Sequence, residues 1–156
     1  MVRFMSAKSG KVELAMFGSK ASLLLDTDIF INYLRGQKEE SDFFYRLLVK
    51  EEYNGFYSSI TEVELFAAEK LDDMQMDNIK ALLNALYRVE VNPAVAQHAG
   101  RLLAQFRKPN GLEMPDAIIA ASALISGATL VTKNARHYSF IPGLVISLPV
   151  SYSSRS

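Results

Sequence analysis

LLLDTDIFINYL, residues 23–34, joins an apolar run of strand character to a helical pattern, and two aspartates stand at the join. Ser22 to Leu25 reads as a buried strand, and Ile29 to about Arg35 as a short helix that Gly36 closes. In open α/β sheets, ligands bind in the crevice beyond the carboxyl ends of parallel strands, so an acid directly after a strand points into such a crevice. The same alternation recurs downstream. Glu39 to Glu52 is a helical stretch with Phe43, Phe44, Leu47 and Leu48 on one face, ended by the turn pair Asn54-Gly55. Gly55 to Ile60 reads as a strand, with a helix from near Thr61, then an amphipathic helix from Met76 to Tyr87 and a brief strand from Arg88 to Val91. Asn92-Pro93 caps and opens a helix that Asn110-Gly111 closes, and Pro115 opens the apolar helix AIIAASALI, which Gly127 ends. Strands from Thr129 to Val131 and from Leu144 to Leu148 complete the pattern.

Strands alternating with helices imply an α/β fold, a three-layer α/β/α sandwich around a central, mainly parallel sheet. Right-handed crossovers put every strand-to-helix junction at one edge of that sheet, so acids that follow different strands converge there. One domain over 21–150 is expected, with an N-terminal extension over 1–20 and a short tail over 151–156. The chain has 156 residues and no cysteine, which excludes a disulfide framework and a thiolate zinc site and suits a reducing cytoplasm. Seventeen basic residues balance seventeen acidic ones, so any nucleic-acid contact must be a local basic groove. No stretch approaches the roughly 20 apolar residues of a membrane helix, and the first residues lack the apolar core of a signal peptide.

Each candidate acid has a plain structural role to weigh against a functional one. Asp28, or Asp26, caps the helix that follows, but Asp26 lies two residues ahead of a start near Ile29 and is the better functional candidate. Thr61 and Glu64 match a capping box, yet a helix beginning at Thr61 also puts Glu64 in its first turn at the carboxyl edge, with Glu62 facing elsewhere. Asp116, just after Pro115, suits a helix dipole in any protein. Together, Asp26, Glu64 and Asp116 would repel one another at that edge, and a divalent cation resolves the conflict. Oxygen ligands alone favour Mg2+ or Mn2+ over zinc. Thr132, Lys133 and Asn134 follow the fourth strand at the same edge. His98 reads as structural, while His137 and Arg136 lie nearer the site; Arg35, Lys38, Arg107 and Lys108 are groove candidates whose default is solvated surface.

These residues resemble the PIN domain family of metal-dependent ribonucleases, in particular the VapC-like toxins of toxin–antitoxin pairs. LLLDTDIFI is similar to that family's opening strand, SSITEVELFAA to its T-x-x-E-L segment, MPDAIIAASAL to its D-x-x-I-A-A helix and LVTKN to its T-x-N segment, in family order. The resemblance implies an acidic site on Asp26, Glu64 and Asp116, with Asn134 and Thr132 in support, RNA as substrate, an antitoxin partner and a homodimer. Two departures stand out. Many relatives carry a fourth acid near the T-x-N segment, often in an Asp-Phe pair, where this chain has His137-Tyr138; and the leading extension is unusual.

The expected function is therefore a cytoplasmic Mg/Mn-dependent endoribonuclease, with the cation held by Asp26, Glu64 and Asp116 and Asn134 orienting a water or ligand. Thr132, Lys133, Arg136 and Arg35 are assigned to the substrate. A dimer is also expected because Phe43, Phe44, Leu47, Leu82, Leu83 and Leu86 form faces that a small sheet leaves partly uncovered. One rival is a haloacid-dehalogenase-type phosphatase, since D-T-D after a strand matches its acid pair superficially, although the later paired acids are missing. The other is a non-catalytic PIN-like RNA-binding module.

Overall fold

Five strands, β1 (Ser22–Leu25), β2 (Asn54–Ser58), β3 (Tyr87–Val89), β4 (Thr129–Val131) and β5 (Ile146–Ser147), pair in the order β3-β2-β1-β4-β5. All four pairings are parallel. The computed structural model describes residues 20–149; the tail, and the extension apart from Lys20, lie outside the described residues.

β1 is apolar without a break because it is central and covered on both faces. Side chains alternate across a strand, so Leu23 and Leu25 enter one core and Leu24 the other. The first core is closed by α1 (Thr27–Leu34), α2 (Lys38–Phe44) and α4 (Asp73–Asn84), with Leu65 of α3 (Ser59–Phe66). On the opposite face, α5 (Pro93–Asn110) and α6 (Met114–Ser126) pack with Phe56, Val89 and Leu130. Ala117, Ala120, Ala121 and Ala123 of α6 are buried, and their small side chains let the helix lie close to the sheet. Asn92 accepts the Val95 N–H at 2.9 Å to start α5. Gly127, at φ 70°, ends α6 in the left-handed region that a side chain would strain.

Several boundaries differ from the sequence reading, each for a local reason. α1 begins at Thr27 with Asp26 as its N-cap, two residues ahead of Ile29. α3 begins at Ser59, capped by Ser58, so the T-x-x-E box at Thr61 does not form and Thr61 is buried inside the helix. α4 starts at Asp73 because Asp72 and Gln75 make a reciprocal capping box ahead of Met76. The helical stretch from 39 to 52 divides into α2 and a π-helical turn, Tyr45–Val49. β3 lies one to two residues earlier than read, and β5 pairs over two residues only.

The face expected to seek a partner is core. Phe43, Phe44, Leu47, Leu82 and Leu83 are all buried, and Leu86 packs against the same cluster. The helices α2 and α4 cover these residues more fully than the sequence pattern suggested, and of the six only Leu86 stays partly exposed.

Candidate active site

From β1 the chain steps outward to β2 and β3, then returns to lay β4 on the other side of β1. The strand order reverses at that point, and in parallel sheets a crevice opens where it does. Asp26 leaves β1 and Thr132 leaves β4, so both stand at the mouth of the crevice. The Thr132 hydroxyl donates to Asp26 Oδ2 at 2.7 Å, and the Asn134 N–H donates to the Thr132 oxygen at 2.9 Å. Asp26 Oδ1 accepts the Thr27 N–H at 2.9 Å and lies 3.1 Å from the Tyr138 hydroxyl. That hydroxyl is also 3.1 Å from Asp116 Oδ1 at the start of α6.

The other acids arrive from neighbouring elements. Thr27 donates to Glu64 Oε1 at 2.5 Å and its hydroxyl lies 2.9 Å from that of Thr61, which ties α1 to α3. Asp28 Oδ2 accepts the Lys133 N–H at 3.1 Å and the Asn134 amide at 3.0 Å. His137 Nδ1 is 3.4 Å from Asp116 Oδ2. Glu62 turns to the opposite side and pairs with Arg88 at 2.7 Å.

Burial raises the pKa of Asp26, Asp28, Glu64 and Asp116, because each carboxylate gives up water. The charge on Asp26 adds to the effect at Asp28, Glu64 and Asp116, and Asp28 reaches about 7. Hydrogen bonds from Thr132, Tyr138 and Thr27 oppose it. Among the described residues, no lysine or arginine side chain pairs with Asp26, Glu64 or Asp116, and Asp28 Oδ1 is buried without a partner. The donor set of carboxylates, hydroxyls and an amide suits a hard cation. In the present arrangement no three acids or histidines among the described residues stand ready to share one ion. Thr27, Thr132 and Tyr138 each hold a carboxylate oxygen instead.

The four residues assigned to the substrate stand in different settings. Thr132 is fully buried and spends its hydroxyl on Asp26. The Lys133 ammonium is held by Glu39 at 2.9 Å and by the fully buried Glu40 at 2.8 Å, so it is not available to a phosphate as read. Arg35 caps the far end of α1, about 13.5 Å along the helix from Asp26. Arg136 is exposed and lines a pocket of about 250 Å³ with Asp116, His137 and Glu113. A larger cavity of about 750 Å³ lies beside β2 and β3, between Leu47, Tyr57 and Leu83, and none of the four clustered acids lines it. Chemistry rather than size therefore identifies the site. In the sequence Asp28 ranks below Asp26 and Tyr138 carries no role; the His137-Tyr138 pair, standing where many relatives have Asp-Phe, is the signal by which Tyr138 could be found.

A family model described as PIN domain matches residues 23–140. The chain belongs to the PIN domain family. All four motif segments fall inside that match, as does Tyr138, whereas β5 lies beyond it. Ribonuclease VapC19 of two Mycobacterium tuberculosis strains is 29% identical over 122 residues, covering 78% of this chain and 95% of that protein. Among solved structures, DNA-bound VapBC from Salmonella typhimurium is similar with TM-score 0.71 and 25% identity, over 83% of this chain and 98% of that one. A toxin–antitoxin complex from Klebsiella pneumoniae is similar with TM-score 0.63 and 26% identity, over 81% and 97%. PIN membership removes the haloacid-dehalogenase reading, whose support was the D-T-D triplet alone.

Proposed function

We propose that this chain is a Mg2+- or Mn2+-dependent endoribonuclease of the VapC type, acting in the cytoplasm. The observation that carries this reading is the gathering of Asp26, Glu64 and Asp116 at the crevice, Asp26 buried and the other two half-buried, with no lysine or arginine partner among the described residues. Asp26, Glu64 and Asp116 would hold the cation, which when bound activates water and offsets charge on the phosphodiester in the transition state. Asn134, fixed through Thr132 and Asp28, orients a water or a substrate oxygen at the same edge. Arg136 is exposed beside Asp116, where it can hold an RNA phosphate, a positioning contact that carries no sequence information. The reading includes an antitoxin protein as partner, which the VapBC neighbours support, and a homodimer, which now rests on family resemblance alone.

Three measurements test it. Calorimetric titration of chelator-treated protein with Mn2+ should give saturable binding that Asp26→Asn abolishes, and RNA cleavage should require the same cation. A folded protein that binds RNA but neither binds Mn2+ nor cleaves would be the non-catalytic module instead. Light scattering on the isolated protein reads the dimer, and a monodisperse monomer at micromolar concentration removes that part alone.

A further inference from the structure

Tyr138 follows the short 3-10 turn Ala135–His137 and is fully buried. Its ring sits in the core with α5 and α6, while its hydroxyl is 3.1 Å from Asp26 Oδ1 and 3.1 Å from Asp116 Oδ1. These two acids come from opposite parts of the chain, one capping α1 and the other opening α6. A hydroxyl carries one hydrogen, so it donates to one carboxylate at a time and stands between both. The ring cannot retreat, because it is packed; the hydroxyl position is therefore fixed by the core rather than by the acids.

We propose that Tyr138 is a positioning residue that clasps Asp26 and Asp116 through its hydroxyl and fixes their orientation for the cation. The proposal rests on the metal-dependent reading above for its cation, and on the two 3.1 Å approaches of the hydroxyl, one to each carboxylate, for the clasp itself. A phenylalanine at this position would fill the same core space and leave the carboxylates to choose their own rotamers. Groups that hydrogen-bond to metal-holding side chains raise affinity by removing that freedom, and their loss costs about 10- to 100-fold in metal affinity. Thr132 supports Asp26 from its other oxygen, but Asp116 has only Tyr138 and the exposed His137 among the contacts described. Asp116 is thus the acid that depends most on the clasp.

The test compares wild type with Tyr138→Phe by Mn2+ calorimetry, and adds a denaturant double-mutant cycle in chelator with Asp116→Ala. Tyr138→Phe should keep the fold and weaken Mn2+ binding about 10- to 100-fold. In metal-free protein its effect on the unfolding midpoint should shrink once Asp116 is already alanine, because the two share an interaction. Unchanged or tighter Mn2+ binding overturns the positioning role, the latter meaning that the hydroxyl competes with the cation. Equal effects of Tyr138→Phe in both backgrounds overturn the clasp. If wild type itself binds no Mn2+, the metal-dependent reading and the positioning role fail together, and the cycle still decides whether the clasp exists.

Discussion

Asp116 is the residue on which the site can be tested most simply, because it is half-buried in the first turn of α6 and an asparagine there keeps its shape and an acceptor for the Tyr138 hydroxyl. Asp116→Asn should keep the fold and lower metal-dependent RNA cleavage at least about a hundredfold, since a neutral amide is a poorer ligand for the cation that offsets charge in the transition state. Full activity in a folded variant would remove Asp116 from the site. Protonation gives a second handle. Burial, then the Asp26 charge, lifts Asp28 from its usual 3.8 to about 7, and burial also raises Asp26, Glu64 and Asp116. A carboxyl whose folded pKa exceeds its unfolded one binds its proton more tightly in the native state. Native protein then holds more protons than unfolded chain between about pH 4 and 7, and stability falls as pH rises through that window. Melting temperature in chelator, followed by circular dichroism, should decline over this range, and Asp28→Asn should flatten part of the slope; a rising profile would contradict the pKa directions. Asp26, Glu64 and Asp116 were legible because acids at helix starts after strands leave a positional signature. The partners of Lys133 were not, because Glu39 and Glu40 lie on a helix far away in sequence, and no spacing rule links them.

At the scale of elements, α4 decides between two roles for its leucines. Leu83 is 3% exposed and packs with Phe44, Leu47 and Ile79 in the core beneath the sheet. Leu83→Ala should cost about 2–5 kcal/mol in urea denaturation and leave the mass in solution unchanged. A dissociated but equally stable variant would return Leu83 to an interface. Element order and type could be read from hydrophobic period, Pro and Gly, and β4 was placed to the residue. Helix starts were less legible, because the cap is chosen by geometry: Asp26 and Ser58 reach backbone N–H groups only once the strands before them are fixed. The leucine faces of α2 and α4 were read as surplus because a sequence shows an apolar stripe but not the area available to cover it.

The whole molecule should respond to the cation by mass action. An ion that binds folded chain alone, at about a hundred times its dissociation constant, adds about 2.7 kcal/mol, or roughly 5–10 °C in melting temperature for a domain of this size. Coincident melts in chelator and in Mn2+ would count against a shared carboxylate site. The placement of β4 beside β1 has a further effect, on timing. The Asp26–Thr132 bond joins groups 106 residues apart, and the Tyr138–Asp26 bond spans 112. A ribosome making this chain completes β1 early, yet the crevice has only one wall until β4 and the turn after it emerge. Nascent or prematurely terminated chains therefore carry the acids without the crevice, and the arrangement proposed to cut RNA comes together only when synthesis of the domain is nearly finished.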